Sequence, residues 1–430
     1  MQTATSRARF GWCLYDWANS AFATVILAAV LPVYFVELVP ESGALLPLTG
    51  HTVQASVLWS YSVSFSMLLV ALCAPYLGSW ADRLGAHRWM LGGFCLAGAA
   101  ATCLLFFARG DRYLLAAALF VLANMGFALA NIFYNSFLPV LARGKDMDRL
   151  SARGFGLGYV GGGLALALVA LFIAQHQLFG IASRAEATRL GFLFTGIWWA
   201  AFALPALLAL GGVRYPRRMS TIPSGLRGYF RILSEVAGYR DLLIFLIAFL
   251  FYNDGIQTII AVSAIFAREV LELTPASILG CFLMVQFVAM PGALAFGRLA
   301  ERFGAKRAVL ASLFLFMGIT VFAFRLDSDL EFWILGFAVA LVLGGSQATS
   351  RSLFAGLVPE NRSAEFFGFY TLSGKFASIL GPFLFAFMAD MTGSTRIAVL
   401  ALNLFFLTGI VLLVLVNVQR GRRAAESRAE

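Results

Sequence analysis

An acidic residue in the middle of a long apolar segment is the first place where this sequence could do chemistry. Asp254 lies near the centre of the otherwise uncharged stretch 242–267, with Gln257 and Thr258 one helical turn further along. A helix of this length can cross a bilayer core of about 30 Å, because each residue adds about 1.5 Å. A carboxylate at the midplane costs about 2.5–3.5 kcal/mol or more, so it normally faces a cavity or a partner charge. Asp254 is therefore a candidate for binding a solute or carrying a proton.

Polar residues in other apolar segments repeat at helical spacing and extend this candidate site. Asp16 and Asn19 share one face of the first segment, because residues three or four positions apart lie one above the other on a helix. Asn131 and Asn135 do the same in the fourth segment. Such striping inside an apolar helix predicts a polar interior surface. The full set predicted to bind solute or couple protons is Asp16, Trp17, Asn19, Asn131, Tyr134, Asn135, Tyr252, Asn253, Asp254, Gln257, Thr258, Gln347, Arg351, Tyr370 and Lys375.

The charges in this set can be paired in more than one way, and the sequence leaves the choice open. In one interpretation, Lys375 contacts an anionic group of the solute, while Asp254 contacts its cation or carries a proton. In the other, Asp254 and Lys375 form a permanent ion pair that holds two helices together. Asp16 is either a gate or a helix-packing residue, and Arg351 could instead pair with Glu365 near the membrane surface.

The composition places these residues in a polytopic membrane protein. The 430 residues are 60% hydrophobic and only 13% charged, with a mean hydropathy of +0.84, which excludes an ordinary soluble protein. The long interruption at 214–241 divides the chain into halves at 1–213 and 242–430. We expect an all-α protein with twelve transmembrane helices in two pseudo-symmetric six-helix halves. The predicted segments are roughly 11–38, 55–80, 88–108, 112–137, 152–174, 190–212, 242–267, 276–297, 306–324, 331–354, 366–389 and 396–418.

The charged residues predict the orientation and exclude several function classes. Most of the 32 Lys and Arg residues fall in alternate loops on the side of the N-terminus, so we expect both termini to be cytoplasmic in a bacterial inner membrane with an anionic inner leaflet. The net charge of +10 is spread over short loops, which argues against nucleic acid. The five Cys lack metal or disulfide spacing, and Walker A, HExxH and GxSxG strings are absent. We therefore expect no metal, no cofactor and no enzyme activity, and we expect a monomer.

A repeated loop supports the division into halves. The string GSWADRLGAHR at 78–88 has the same placement of acid, base and glycine as GRLAERFGAKR at 297–307. The first copy resembles the cytoplasmic signature of the major facilitator superfamily between its second and third helices. That resemblance implies a charge network that latches the two halves, whereas the alternative is simple positive-inside topology. The residues implied in this gating motif are Gly78, Asp82, Arg83, Gly85, Arg88, Gly297, Glu301, Arg302, Gly304 and Arg307.

A narrower resemblance rests on four further strings: YDWANSAF at 15–22, YNSFLP at 134–139, YNDG at 252–255 and GGSQATSRS at 344–352. Together they resemble the vacuole-effluxer, autophagy-related family of major facilitators. The resemblance implies secondary active transport of a small organic solute by alternating access, with amino-acid or peptide efflux first and proton coupling open. A proton-coupled carrier of a sugar, organic anion, amphiphile or drug is the alternative, and a membrane receptor or channel is the third.

Overall fold

The structure is a computed structural model. It describes residues 6–45, 50, 52–213, 215, 234–376 and 380–427, without the side chains of 56, 264, 265, 268, 269, 275, 276, 375, 376 and 386. Within these residues the chain is almost entirely helical, and one small antiparallel sheet pairs β1 (Ala44–Leu45) with β2 (Thr52–Val53).

The helices fall into two sets. The first set, called here the N-terminal half, comprises α1 (Ser6–Leu38), α2 (Ala55–Leu84), α3 (His87–Leu104), α4 (Tyr113–Ser136), α5 (Lys145–Ala174) and α6 (Arg184–Ala209). The second set, the C-terminal half, comprises α7 (Arg240–Glu269), α8 (Pro275–Phe303), α9 (Ala305–Phe324), α10 (Asp329–Ala355), α11 (Ser363–Phe376), α12 (Leu380–Thr392), α13 (Thr395–Leu415) and α14 (Val418–Ser427). Short helical turns are formed by Leu105–Phe107, Leu138–Leu141, Leu210–Gly212 and Glu360–Arg362, and the stretch Phe22–Ala29 of α1 is π-helical.

These helices confirm the predicted all-α polytopic architecture. In the described residues, 11 helices are long and apolar enough to cross a membrane. The further predicted segment, 366–389, falls on α11 and α12, with 377–379 outside the described residues. The predicted helix ends are less accurate than the segments themselves. Helix α5 begins at Lys145 rather than near 152, because its first turns carry charges and apolarity therefore does not reveal them.

The two halves pack against each other in a symmetric way. Within the N-terminal half, α1 packs on α5 and α6, and within the C-terminal half, α7 packs on α13 and α8 on α10. The halves meet along two helix pairs, α2 with α11 and α5 with α8. In each pair, the second membrane span of one half contacts the fifth span of the other. This reciprocal contact is what two parallel six-helix repeats related by an axis along the membrane normal produce.

Both ends of the described chain lie at one face of the molecule, which we call the terminal face. Arg9 in α1 donates through Nε to the backbone oxygen of Leu141 at 3.0 Å. Arg420 in α14 donates through Nε and Nη2 to the two carboxylate oxygens of Asp241 at 2.6 and 2.8 Å. These contacts tie the chain ends to the loops and helix starts of the same face. That this face is cytoplasmic stays a prediction from the distribution of Lys and Arg.

Two glycines occupy equivalent positions of the repeated loop at the terminal face. Gly85 ends α2 with φ of 67°, and Gly304 ends α8 with φ of 91°. Residues with a Cβ rarely adopt such positive φ values, so glycine allows each helix to stop and the next to start at once. The two strings therefore place a glycine with positive φ at the same point, with ψ of 29° at Gly85 and 145° at Gly304.

Helices α8 and α10 pack so closely that two glycines set the distance between them. A Cβ built on Gly292 would lie 2.2 Å from the backbone oxygen of Leu341, and one on Gly344 would lie 2.2 Å from that of Ala289. Both contacts are with backbone, which cannot move aside as a flexible side chain can. Small residues at such crossings let transmembrane helices approach and gain van der Waals contact.

We expect Gly344→Ala to destabilise the protein by about 1–3 kcal/mol, because the added methyl group must push α8 and α10 apart. The matched control is Gly318→Ala on α9, where a Cβ meets nothing within 4 Å. That change should leave stability equal or slightly higher, since alanine favours a helix over glycine by about 1 kcal/mol. Thermal unfolding in detergent measures both, and equal midpoints for the two variants would contradict the close-packing explanation.

Candidate functional site

A buried ion pair joins the two halves between the terminal face and the membrane centre. Nη1 of Arg351 on α10 lies 3.0 Å from Oδ2 of Asp16 on α1. The two side chains are only 3% and 10% exposed. The hydroxyl of Tyr134 on α4 donates to the same Asp16 oxygen at 2.7 Å. The carboxylate therefore links three helices, two from the N-terminal half and one from the C-terminal half.

The remaining nitrogens of the Arg351 guanidinium are also bonded to the N-terminal half. Nε donates to the hydroxyl of Ser151 at 3.0 Å, and Nη2 donates to the Ser151 backbone oxygen at 2.9 Å. Nη1 makes a longer contact, 3.3 Å, with Oδ1 of Asn135. All three guanidinium nitrogens thus have acceptors, which is the condition for burying such a charge in a membrane protein.

Three aromatic rings surround the same guanidinium. Its carbon lies 4.0 Å from the ring centre of Phe155, 4.7 Å from that of Trp12 and 5.6 Å from that of Tyr134. Aromatic faces attract a cation electrostatically, and more strongly when water is excluded. We call the enclosing residues the Arg351 cradle; they are Trp12, Asp16, Tyr134, Asn135, Ser151 and Phe155.

A glycine on α5 makes room for the ion pair. A Cβ on Gly154 would lie 2.6 Å from Oδ2 of Asp16 and 2.9 Å from Nη2 of Arg351. One turn further, a Cβ on Gly158 would lie 2.8 Å from the hydroxyl oxygen of Ser20 on α1. The small residues at the start of α5 therefore bring its backbone against α1 and leave space for the two charged side chains.

A second contact between the halves lies closer to the terminal face, at the start of α11. Asp82 in the first copy of the repeated loop accepts hydrogen bonds from the backbone nitrogens of Ala364 and Glu365 at 3.2 and 2.9 Å. These nitrogens belong to the first turn of a helix, where amides lack partners and the helix dipole is positive. His87 contacts the same carboxylate through Nε2 at 2.8 Å. Gly78 permits the approach, since a Cβ there would lie 2.7 Å from Cα of Glu365.

The second copy of the loop contributes an ion pair with the opposite half. Arg149 on α5 donates through Nε and Nη2 to the two oxygens of Glu301 on α8, at 3.0 and 2.8 Å. Arg143 pairs with Glu360 nearby, again from one half to the other. In the two loops, Asp82 and Glu301 occupy equivalent positions, and each contacts the half to which it does not belong.

The basic residues of the gating motif have more local contacts. Arg88 donates to the backbone oxygen of Leu207 at 2.8 Å, within the N-terminal half. Arg302 lies over the ring of Phe303 with 5.2 Å to the ring centre. Arg83 near the end of α2 and Arg307 near the start of α9 are exposed. Gly297 on α8 lies against Ala152 of α5.

The alternative pairing of Arg351 with Glu365 is wrong, because Arg351 pairs with Asp16. The Glu365 carboxylate pairs instead with Arg362 in the preceding turn, and Arg362 also contacts Glu235 at 2.8 Å. Burial lowers the pKa of Arg362, but the adjacent carboxylates of Glu365 and Glu235 raise it above its ordinary value. Arg351 and Glu365 do not pair because α10 and α11 direct their side chains to different partners.

Two polar pairs lie deeper in the membrane than Arg351. Asn19 on α1 donates to Oδ1 of Asn131 on α4 at 2.8 Å. Tyr159 on α5 donates to Oε1 of Gln347 on α10 at 2.7 Å. Because Gln347 lies one turn before Arg351, the Tyr159 bond continues the contact between the halves toward the membrane centre.

Other predicted residues make contacts within a single half. The ring of Trp17 stacks on that of Trp198 of α6, with 5.7 Å between centres. The contacts in the C-terminal half are Tyr252 Oη with Ser350 Oγ at 2.7 Å, Asn253 Nδ2 with the Gly374 oxygen at 3.2 Å, and the Tyr370 ring with the Phe249 ring at 4.4 Å.

Asp254 is fully buried on α7, as its position in the apolar segment predicts. Neither of its carboxylate oxygens meets a hydrogen-bond donor among the described side chains, although the backbone of Leu380 and Gly381 at α12 lies beside it. Thr258 donates to the Asp254 backbone oxygen at 2.7 Å rather than to the carboxylate, and Gln257 is half-buried. The side chain of Lys375 lies outside the described residues, so the Asp254–Lys375 pair stays a prediction.

Sequence reasoning missed half of the Arg351 cradle. Trp12, Ser151 and Phe155 were not singled out, because one aromatic or one hydroxyl residue in an apolar helix has no signature of its own. The available signal was the run of glycines from Gly154 onward, which marks a close approach of two helices. It also missed Tyr215, whose ring stacks on His87 with 3.4 Å between ring centres.

The fold is that of the major facilitator class. The chain resembles the crystal structure of the transporter FucP in its outward conformation, with a TM-score of 0.71 at 14% identity, covering 95% of this chain and 98% of that one. It resembles the human organic anion transporter MFSD10 equally, with a TM-score of 0.71 at 16% identity, covering 96% and 100%. At these identities the likeness concerns the fold alone.

Within that class, the chain belongs to the family described as "Vacuole effluxer Atg22 like", whose model matches residues 4–426. It is 36% identical over 408 residues to the MFS-type transporter YxiO of Bacillus subtilis, covering 94% of each chain. It is 25% identical over 482 residues to Autophagy-related protein 22 of Eremothecium gossypii, covering 99% of this chain and 94% of that one. The chain is therefore an integral multi-pass membrane transporter, and its relatives are transporters rather than enzymes.

We expect Asp16→Asn to lower stability by about 3–5 kcal/mol, because it leaves the Arg351 guanidinium buried without a counter-charge. The matched control is Asp146→Asn, which removes an acid whose pair with Arg9 is exposed at 37% and 52%. Such a surface pair contributes about 0–1 kcal/mol. Unfolding midpoints in detergent measure both changes, and an Asp16 variant as stable as the control would show that the buried pair does not hold the halves together.

Proposed function

We propose that this chain is a secondary active transporter of a small organic solute that works by alternating access between the two halves. The observation that carries the proposal is the buried Arg351–Asp16 pair, which joins α10 of one half to α1 of the other. A charge pair shared between halves is a bond that a rocking motion can break and remake. The absence of a Walker A string in the sequence favours a solute or ion gradient over ATP as the energy source.

The positions of the contacts between the halves support the closure of one face. The bonds of Asp82, Arg149 and Arg351 to the opposite half lie between the terminal face and the level of the Tyr159–Gln347 bond near the membrane centre. In this arrangement the solute pathway is closed on the terminal side. We take this side to be the cytoplasm of a bacterial cell, and we take the working unit to be a monomer in the inner membrane.

The proposed solute is a zwitterion, an amino acid or a short peptide, and efflux is the direction that the family description names. A zwitterion suits Asp254 on α7 and Lys375 on α11, an acid and a base predicted near the middle of the membrane. Asp254 is also our candidate for the proton carrier, because a buried carboxylate inside a membrane is stable when protonated and must find a cation when charged.

A transport screen tests the proposed function directly. The purified chain in proteoliposomes is offered radiolabelled amino acids and dipeptides, with sugars and organic anions as the alternative classes, with and without a pH gradient. We expect accumulation of one or more zwitterions above protein-free liposomes and a change in rate with the gradient. Accumulation of only sugars or organic anions would show that the solute belongs to one of those classes instead. If no solute accumulates, the proposal that the chain transports zwitterions is contradicted.

We expect Lys375→Ala to lower zwitterion transport by about tenfold or more, because it removes a charged contact with the solute carboxylate. We expect Asp254→Asn to abolish the response to a pH gradient, since an amide cannot carry the proton. The control is Asp327→Asn, which changes an acid that is 79% exposed and paired with Arg396.

Two results would contradict these roles. If folded Lys375→Ala and Asp254→Asn both transport at the rate of the parent chain, neither residue belongs to the site. If each single variant is unstable while the double variant is as stable as the parent chain, the two residues form a structural pair.

A further inference from the structure

We propose that the Arg351 cradle is a binding site for the cationic group of the transported solute, an ammonium or guanidinium, which replaces Arg351 when the terminal face opens. This inference rests on the proposed function, since it requires that the halves separate. It adds a second solute contact, distinct from Asp254 and nearer to the terminal face, and it assigns that contact to the N-terminal half.

The cradle belongs wholly to one half, whereas its present occupant belongs to the other. Trp12 and Asp16 lie on α1, Tyr134 and Asn135 on α4, and Ser151 and Phe155 on α5. Separation of the halves therefore removes Arg351 and leaves the cradle assembled.

Contacts inside the N-terminal half hold the cradle together without Arg351. The Tyr134 hydroxyl donates to Asp16 at 2.7 Å, and Trp12 Nε1 donates to the Tyr134 backbone oxygen at 2.8 Å. The rings of Trp12 and Tyr134 also stack, with 4.5 Å between their centres. None of these bonds involves the C-terminal half, so Trp12, Asp16 and Tyr134 keep their mutual contacts when Arg351 leaves. The Ser151 hydroxyl, by contrast, donates to the backbone oxygen of Ala348 on α10 at 2.7 Å and loses that bond when the halves separate.

The chemistry of the cradle selects an organic cation. Departure of Arg351 leaves the Asp16 carboxylate with the Tyr134 hydroxyl as a donor and with aromatic faces around it, which is costly for an uncompensated charge. The aromatic faces of Trp12, Tyr134 and Phe155 favour ammonium and guanidinium groups. The Ser151 backbone oxygen and Asn135 Oδ1, which accept from Arg351 now, would accept from the N–H groups of such a ligand.

Arg351 and the solute cation then compete for one place. A bound cation favours the state that is open at the terminal face, because the face closes only when Arg351 returns. The solute must therefore leave the cradle, toward the membrane centre or back to the terminal side, before the halves rejoin. A sugar or an organic anion lacks the group that makes this exchange possible, so the inference narrows the solute to molecules with an exposed cation.

Chemical rescue of an emptied cradle tests this inference without any transport measurement. The probe is guanidinium chloride at 1–20 mM added to purified Arg351→Ala in detergent, with sodium chloride matching the ionic strength and urea as the uncharged molecule of the same shape. We expect guanidinium to raise the unfolding midpoint by about 1–2 °C when it is present at about ten times its Kd. We expect no comparable rise with urea, or with the parent chain, whose cradle is filled.

The double variant Asp16→Asn with Arg351→Ala is the matched control, because it keeps the cavity and removes the carboxylate. A guanidinium response that disappears in this variant supports the cation site. An equal response in the parent chain, the single variant and the double variant would overturn it as a general solvent effect. If Arg351→Ala does not fold, the same experiment uses Arg351→Gln and the double variant Asp16→Asn with Arg351→Gln. Glutamine fills part of the space and can donate to Asp16.

The result separates this inference from the proposed function. Rescue that depends on Asp16, together with a failed transport screen, establishes a cation site and overturns only its link to a transported zwitterion. Zwitterion transport without any rescue of either Arg351 variant overturns the cradle as a solute site and leaves the transport proposal standing.

Discussion

The pairing of Arg351 with Asp16 is the interaction on which the closed arrangement of the two halves depends. Each charge is too costly to bury alone in a membrane, so each half carries a group that is stable only while the other half is in place. The surrounding features serve this pair: Gly154 leaves room for it, the Ser151 backbone oxygen and hydroxyl satisfy the remaining nitrogens, and the aromatic rings exclude water. Because the pair sits between the halves, the proposed alternating-access cycle must break and remake it, so the free energy of the pair contributes to the equilibrium between the open and closed arrangements.

The contacts nearer the terminal face differ from this pair in strength. The Arg149–Glu301 pair has an arginine side chain that is 53% exposed, and exposed pairs of this kind contribute about 0–1 kcal/mol. Asp82 instead accepts two amide bonds at the start of α11, where the carboxylate also meets the positive end of a helix dipole. In the proposed cycle, one deep ion pair, the buried Asp82–α11 contact and the weaker surface pairs together close the terminal face in one register and leave the closure reversible. A transporter needs that balance, because a solute can shift an equilibrium only by the difference in its affinity for the two states.

The sequence predicts the membrane spans from the length of the apolar segments and the two-fold repeat from the glycines and charges of the repeated loop. It predicts Asp16, Tyr134 and Asn135 of the Arg351 cradle because polar residues recur at helical spacing in apolar segments. It does not predict the partner of Arg351, which is 335 positions from Asp16 in the chain and meets it only through the packing of α10 on the N-terminal half. The nearer acid, Glu365, was the natural choice by proximity and proved wrong. The sequence does not predict the roles of Trp12 and Phe155 for a related reason. An aromatic residue in an apolar helix contacts a cation only when the packing of another helix places the cation beside it.

The two halves share a fold but carry different charges, and this difference distinguishes Asp254 from Asp16. Asn131 and Asn135 on α4 echo Gln347 and Arg351 on α10, so the N-terminal half offers an amide where the C-terminal half offers a guanidinium. The acid of α1 therefore finds an arginine across the interface, whereas the acid of α7 has no arginine at the corresponding place on α4. A buried carboxylate cannot remain unbalanced, so the charge of Asp254 must be met by Lys375, by a proton or by the solute.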